Sequence, residues 1–339
     1  MSEKIKIYLT NELKETLLKD ASNFGFLKSN GEVNINSFLN TLIVNYYNEH
    51  QNKQKYLHTL IQNILNHSSL STEENHRLSE EITHQIQNVK NQRISKKASV
   101  SISFKPTKKS ETTIEYIERV LLQNQSISSY YASMFASYAS LPQDKRELIL
   151  FKDLKETLDE AIKKKQTIIF TLNKGKDKYM AAPYRIAASF EELHNYVLAT
   201  ILNYNDTVTL QPSTFRLSKI ERLSIHDHKH EFSEQEKNVY TRALRNGVQF
   251  LYHPNDQLVK VHLNEPYGRR MFKRFYVHRP LPLKIEGNDY YFDCSYDQLI
   301  NYFARFGSNA IIEYPADLAL RMGELYFWAS KKYPYEPNK

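Results

Sequence analysis

Two short stretches of this chain alternate strictly between apolar and polar residues, and neither can bury its apolar side alone. In KIKIYLT, residues 4–10, Ile5, Ile7 and Leu9 fall on one side and Lys4, Lys6 and Tyr8 on the other. In SVSISFK, residues 99–105, Val100, Ile102 and Phe104 fall on one side and Ser101, Ser103 and Lys105 on the other. Strands this short need a partner strand and a layer beneath them to persist in water. The same order of helical patterns follows each stretch, so the two are expected to pair with each other within one chain.

After the first strand, NELKETLLKDASNFG places Leu13, Leu17, Ala21 and Phe24 on one helical face. Thr10 or Asn11 can cap its start and Gly25 can close its end. NINSFLNTLIVNYYNEH then sets Phe38, Leu42 and Tyr46 in one row. After the second strand, SETTIEYIERVLLQN aligns Ile114, Ile117 and Leu121, and SISSYYASMFASYASLP reads as a helix ended by Pro142. Strand, helix, helix is the outline of a ribbon-helix-helix unit, complete only as a pair. The expected tandem assigns one unit to residues 1–50 and a second, similar one to 96–145. A long loop (25–34) separates the helices of the first, and another (106–109) follows the strand of the second. Residues 51–95 read as a bracing helical connector with a capping box, Ser71 with Glu74. Paired strands would project Lys4, Lys6, Tyr8, Ser101, Ser103 and Lys105 as one row that fits a DNA major groove, while second-helix N-termini hold phosphates. The alternative is that the lysines solvate the ribbon and block edge-to-edge association.

A length of 339 residues implies about two to four domains. The formal charge of +8 favours acidic partners, nucleic acid first. With 24 Tyr and 17 Phe, rings are available both for a core and for stacking on bases. A single cysteine, Cys294, excludes an intrachain disulfide and fits a reducing cytoplasm. The N-terminus lacks the apolar run of a signal peptide and no stretch is apolar enough to span a bilayer, so a cytoplasmic chain with no membrane partner is expected.

In the middle of the chain, DLKETLDEAIKKKQTIIFTL runs a helix into a strand, NKGKDK supplies a turn, and short strands follow in close succession. That spacing suggests a small, strongly curved β-barrel over residues 150–228. AIKKKQTIIFTL, APYRIAASFEELHNYVLAT and TFRLSKIERLSI resemble the WYL domain of bacterial regulators, a small Sm-like barrel. The PYR turn (Pro183, Tyr184, Arg185) and the FRL strand (Phe215, Arg216, Leu217) match its pattern. The name-giving triplet falls on Asn195, Tyr196 and Val197, of which only the tyrosine is kept, and this departure bears on the ligand rather than on the fold. The resemblance implies a pocket for a nucleotide or oligonucleotide, carried by Tyr184, Arg185, His194, Tyr196, Phe215 and Arg216. A guanidinium would fork onto a phosphate while a tyrosine stacks on a base. The plainer alternative makes Tyr196 and Phe215 barrel core and pairs the arginines with Glu191 or Glu192.

Residues 229–253 read as a linker helix, with Ser233 and Glu236 as a capping box and Gly247 as its end. Residues 254–339 parse as strand, helix, strand, strand, helix, strand and closing helix, a ferredoxin-like plan. The whole is then an α+β multidomain chain. INYFARFGSNAIIEYPADLALRM is similar to the C-terminal extension that accompanies WYL domains, which implies a homodimer. The densest cationic run is YGRRMFKRFYVHRP, where Arg269, Arg270, Lys273 and Arg274 recur at helical spacing with no acid among them. Tyr267, Phe272, Phe275 and Tyr276 are interleaved. One basic and one aromatic side suit a nucleic-acid backbone; a solvated face with docked aromatics is the alternative.

Other motifs lead nowhere specific. His226, His228 and His230 in HDHKH lack a nearby cysteine or HExxH and read as a polar linker, NKGKDK is no phosphate loop, and GxSxG is absent. Neither enzymatic activity nor a cofactor or metal is expected. Two readings remain. One is a ligand-responsive transcriptional regulator on duplex DNA, dependent on Lys4, Lys6 and Lys105. The other follows from the combined architecture, which is similar to that of WYL accessory proteins of type VI CRISPR systems. It implies a non-enzymatic single-stranded-RNA binder that stimulates a CRISPR effector, dependent on Tyr196, Arg216 and the Arg269–Arg274 cluster.

Overall fold

The computed structural model describes residues 3–67, 71–96, 99–122, 125–173, 175–202, 211–250, 252–253 and 256–333. Among these are eleven α-helices and three antiparallel sheets, divided between two compact units, Met1–Lys152 and Asp153–Lys339.

In the first unit, β1 (Ile5–Leu9) is followed by α1 (Asn11–Asn23), α2 (Ile35–Leu65), α3 (Thr72–Lys96) and β2 (Val100–Phe104). Next come α4 (Lys108–Tyr116), which continues into a π-helical turn at Ile117–Leu121, then α5 (Ile127–Ala139) and α6 (Gln143–Leu150). β1 and β2 pair antiparallel with Ile7 opposite Ile102, Ile5 opposite Phe104 and Leu9 opposite Val100. Ile5, Ile7 and Leu9 of β1 and Ile102 and Phe104 of β2 lie in one core with Leu17, Phe38, Leu42, Tyr46, Ile114, Ile117, Tyr131 and Phe135. Thr10 Oγ1 accepts the Leu13 N–H at 3.2 Å, which fixes where α1 begins. The polar stretch after residue 50 continues the second helix, so α2 runs unbroken for 31 residues, roughly 46 Å, and α3 packs back along it. Two details depart from expectation. The link between β2 and α4 is short, because Lys108 is already helical. α6, a helix beyond the expected tandem, closes the core with Ile149 and Leu150.

A buried ion pair ties the ends of this unit together. Asp20 of α1 accepts from Arg146 of α6 through both oxygens, Nε to Oδ2 at 2.6 Å and Nη2 to Oδ1 at 2.9 Å. The Tyr138 hydroxyl donates to Oδ2 at 2.9 Å, and Arg146 Nη1 donates to the Leu141 carbonyl at 2.6 Å. Burial, together with the Asp20 carboxylate, pushes the Tyr138 hydroxyl far up from its ordinary value.

α7 (Lys152–Lys164) opens at the boundary, and from Asp153 onward it belongs to the second unit. A five-stranded sheet follows, built from β3 (Gln166–Leu172), β4 (Lys178–Ala188), β5 (Asn195–Ile201), β6 (Gln211–Arg216) and β7 (Ile220–Lys229) in the order β6-β5-β4-β3-β7. The expected closed barrel is absent. A three-residue 3-10 turn, Leu217–Lys219, carries the chain from β6 to β7, which pairs with β3 at the other side of the sheet. No ladder between β6 and β7 is formed among the described residues, so the sheet stays open. Register shifts at Pro183/Arg185 and along β3 bend it. The HDHKH stretch is mostly strand, not linker, since β7 runs to Lys229.

α8 (Glu234–Asn246) packs Val239, Tyr240 and Ala243 against Leu198 of β5. Its capping box is present, with Ser233 Oγ accepting the Glu236 N–H at 3.2 Å and Glu236 accepting the Ser233 N–H at 2.8 Å. Beyond it come β8 (Val259–Leu263), α9 (Tyr267–Arg274), β9 (Pro282–Glu286), β10 (Asp289–Phe292), α10 (Tyr296–Phe303), β11 (Ala310–Tyr314) and α11 (Ala316–Lys332). The sheet order is β11-β8-β10-β9, all pairs antiparallel. Gly268 lets α9 approach the turn before β11: a Cβ there would lie 2.2 Å from the Asn309 carbonyl oxygen. No helix among the described residues is long and apolar enough to cross a membrane.

Candidate nucleic-acid interface

Alternation in β1 and β2 decides what the ribbon shows to solvent. With Ile5, Ile7 and Leu9 turned inward, Lys6 stands opposite Ser103 and Tyr8 opposite Ser101. Tyr8 is 54 % exposed, and the Lys6 ammonium lies 5.0 Å from its ring centroid. Lys4 and Lys105 are exposed just beyond the paired residues, at the end of the ribbon away from Tyr8. Both strands are held from the side by the opposite half of the unit. Ser128, in the first turn of α5, accepts the Tyr8 N–H at 3.0 Å, and Asn36, in the first turn of α2, accepts the Lys105 N–H at 2.7 Å. Tyr8 and Lys105 each stand two residues before the N-cap threonine of the next helix, Thr10 and Thr107. Ser128 and Asn36 each stand two residues after the N-cap of theirs, Ser126 and Asn34. The two halves are therefore related as the two members of a pair would be. Beside the start of α2 lies a polar cavity of about 360 Å³, bordered by Asn34, Ser37, Thr41, Asn45 and Lys109.

On α9 the basic run divides. Arg269 is paired with Glu265, one turn earlier, at 2.5 Å, and this carboxylate with the Tyr290 hydroxyl holds the guanidinium above its ordinary pKa. The expectation of a run with no compensating acid is thus corrected: the i, i+4 partner stands just ahead of it. Arg270, Lys273 and Arg274 are exposed and have no ion pair among the described residues. Phe272 and Phe275 turn into the core beneath the helix, whereas Tyr267 and Tyr276 are 62 % and 74 % exposed. Arg270 lies 6.0 Å from the Tyr267 ring centroid.

The six residues expected to line a ligand pocket do not share one surface. His194, Tyr196 and Arg216 do: Tyr196 pairs across the sheet with Arg216, whose Nη2 lies 3.0 Å from His194 Nδ1, and the Tyr196 hydroxyl donates to Glu192. Tyr184 packs, like Tyr196, against the α8 cluster: it is stacked on Tyr240 of α8, centroids 4.5 Å apart, with Phe232 edge-on at 5.1 Å. Phe215 points to the other face of the sheet, against Phe170 at 5.1 Å. Arg185 is exposed. α8 thus occupies the space over Tyr184 that an open pocket would use.

Among the histidine–carboxylate contacts of the described residues, those of His230 and His262 belong to larger polar clusters. His230 Nε2 and the Thr200 hydroxyl both reach Glu236 Oε1, at 3.0 and 2.6 Å, while His226 and His228 stay on β7. His262, Asp289 and Glu313 bring ligand atoms within 4.8 Å of one another. Lys260 already joins both carboxylates at 2.7 Å, and they hold its ammonium well above the ordinary pKa. The lysine therefore supplies the positive charge that the cluster attracts.

No protein-family model and no curated protein matches the chain. Among solved structures, one described as a CRISPR Cas-related protein is similar over 98% of this chain and 94% of that one, at 20% identity and a TM-score of 0.69. At that identity the likeness is one of fold. Proteasome accessory factor B/C of Arthrobacter aurescens aligns over 69% of this chain and 37% of that one, at 12% identity and a TM-score of 0.24, which is too low to carry structural weight.

Proposed function

We propose that this chain is a non-enzymatic, nucleic-acid-binding regulatory protein of WYL type, and that it binds single-stranded RNA as an accessory of an RNA-guided nuclease. The observation that carries the reading is the exposed surface of α9. There Arg270, Lys273 and Arg274 are exposed with no acidic partner among the described residues, Arg270 lies against the exposed Tyr267 ring, and the exposed ring of Tyr276 follows two residues after Arg274. Cations that track a backbone and rings on which unpaired bases stack are what single-strand binding requires. The description of the similar solved structure as CRISPR Cas-related supports a CRISPR effector as the partner. In this reading the first unit is a tandem ribbon-helix-helix module, the five-stranded sheet an open Sm-like domain, and the β8–β11 unit a ferredoxin-like extension. That extension forms a homodimer through its apolar side, where a groove of about 420 Å³ runs past Ile311, Met322 and Tyr326.

The test is fluorescence anisotropy with single-stranded RNA, single-stranded DNA and duplex DNA of equal length. Replacing Arg270, Lys273 and Arg274 together by Gln should weaken RNA binding about tenfold or more near 150 mM salt. The slope of log K against log salt should fall by about 2. Unchanged binding would remove α9 from the interface, and no binding of any nucleic acid would end the reading. A second reading, a ligand-responsive transcriptional regulator on duplex DNA, is favoured by the ribbon with helix starts on both sides. It predicts tighter duplex than single-strand binding, lost on replacing Lys4, Lys6 and Lys105.

A further inference from the structure

A ribbon made by two identical subunits is the same from either end and suits a palindromic duplex. The ribbon of this chain has the backbone of such a pair but not its chemistry. One end carries Lys4 and Lys105, the middle carries Lys6 opposite Ser103, and the other end carries Tyr8 opposite Ser101. Tyr8 and Lys105 occupy equivalent positions in the two halves, each two residues before its N-cap threonine and each with its N–H taken by a first-turn side chain. An aromatic ring on one side thus answers a lysine on the other, roughly 14 Å away along the strands.

The cross-strand pairs are also uneven in height. Ser101 and Ser103 are short and make no bidentate contact with a base edge, the contact by which groove readers discriminate. Beside them the Tyr8 ring stands in solvent with Lys6 on one face and no other ring or cation against it among the described residues. A ring over a serine floor, next to a cation, is a ledge for one base and its phosphate. The backbone of Tyr8 is fixed on one side by the ladder to β2 and on the other by Ser128, so little ordering remains to be done on binding.

We propose that the outer face of the ribbon is a directional site for single-stranded nucleic acid. Tyr8 stacks on one unpaired base, Lys6 takes the adjoining phosphate, and Lys4 with Lys105 receive the backbone further along. This deepens the reading of the chain as a single-strand binder and rests on it.

The experiment uses the full chain and a short single-stranded RNA carrying 2-aminopurine, followed by anisotropy and by quenching of the reporter. Tyr8→Leu should weaken binding about tenfold, the loss of one base–aromatic stack, and should reduce quenching at one position of the oligomer. Tyr8→Phe should stay within about twofold of wild type, because the ring and not the hydroxyl is used. The side chain is outside the core, so thermal melting of Tyr8→Leu serves as the folding control. Equal affinity for Tyr8→Leu and wild type would overturn the ledge, and so would duplex DNA that competes as well as single strand. If the triple Gln variant of α9 loses binding while Tyr8→Leu does not, the nucleic-acid reading stands and the ledge falls. If wild type binds no single strand, both fall.

Discussion

On α9, Arg270, Lys273 and Arg274 come from little more than one turn of a single helix, whereas on the ribbon Lys6 meets Ser103 across strands that α1, α2 and α3 separate. The first surface needs only that a short helix be docked by Phe272 and Phe275. The second exists only while a register holds, since a slip of one residue would turn Ile5, Ile7 and Leu9 outward and bury the lysines. A surface built locally tolerates loss of distant contacts, and one built by pairing inherits the stability of the whole unit beneath it.

The sharpest way to break this contrast is Arg146→Ala. It leaves the Asp20 carboxylate buried without its cation, which costs about 3–5 kcal/mol. Hydrogen exchange should show lost protection in β1 and β2 while β8 to β11 keep theirs. Uniform loss of protection would contradict the division between the surfaces.

Acid provides a smaller and graded version. His50 of α2 is buried against Tyr130 of α5, and burial, with Lys53 nearby, lowers its pKa to about 4. An unfolded chain would titrate this histidine near 6.5 and so binds the extra proton first. The stabilisation is therefore complete above about pH 6.5 and is lost as pH falls toward 4. Between pH 7 and 5 the first unit should lose about 2 kcal/mol through this group, and urea unfolding of His50→Gln should show a flatter pH profile than wild type.

The smallest effect is expected at Arg269→Gln. Its partner Glu265 is 58 % exposed, and such pairs contribute little, below about 0.5 kcal/mol. Melting and RNA affinity should both move within error, in contrast to the neighbouring triple variant. A large loss of affinity would mean that Arg269 leaves Glu265 to join the interface.

Much of the first unit was legible because its signals are local. Period-two alternation marks β1 and β2, and the rows Leu13–Leu17–Ala21 and Phe38–Leu42–Tyr46 mark the buried faces of α1 and α2. Arg146 and Asp20 lie 126 residues apart, and no spacing announces that they meet. The basic face of α9 is also local in sequence, and Glu265, four residues before Arg269, is at the helical spacing that pairs it with that cation. The grouping of Tyr184, Arg185, His194, Tyr196, Phe215 and Arg216 was not legible. Whether a side chain lies above or below a bent sheet depends on bulges such as the shift at Pro183/Arg185, and on where α8 comes to rest. The open edge between β6 and β7 was hidden for the same reason: curvature is set by tertiary pairing rather than by strand propensity.

Placing both strands of the ribbon on one polypeptide has a consequence for how the protein behaves on dilution. A ribbon shared by two subunits comes apart as concentration falls, but here assembly is unimolecular and its midpoint is independent of concentration. The covalent tether costs only the slowly growing entropy of closing a loop. It also releases the two strands from having to carry the same residues, so a substitution at Tyr8 alters one side of the surface and leaves its counterpart at Lys105 untouched.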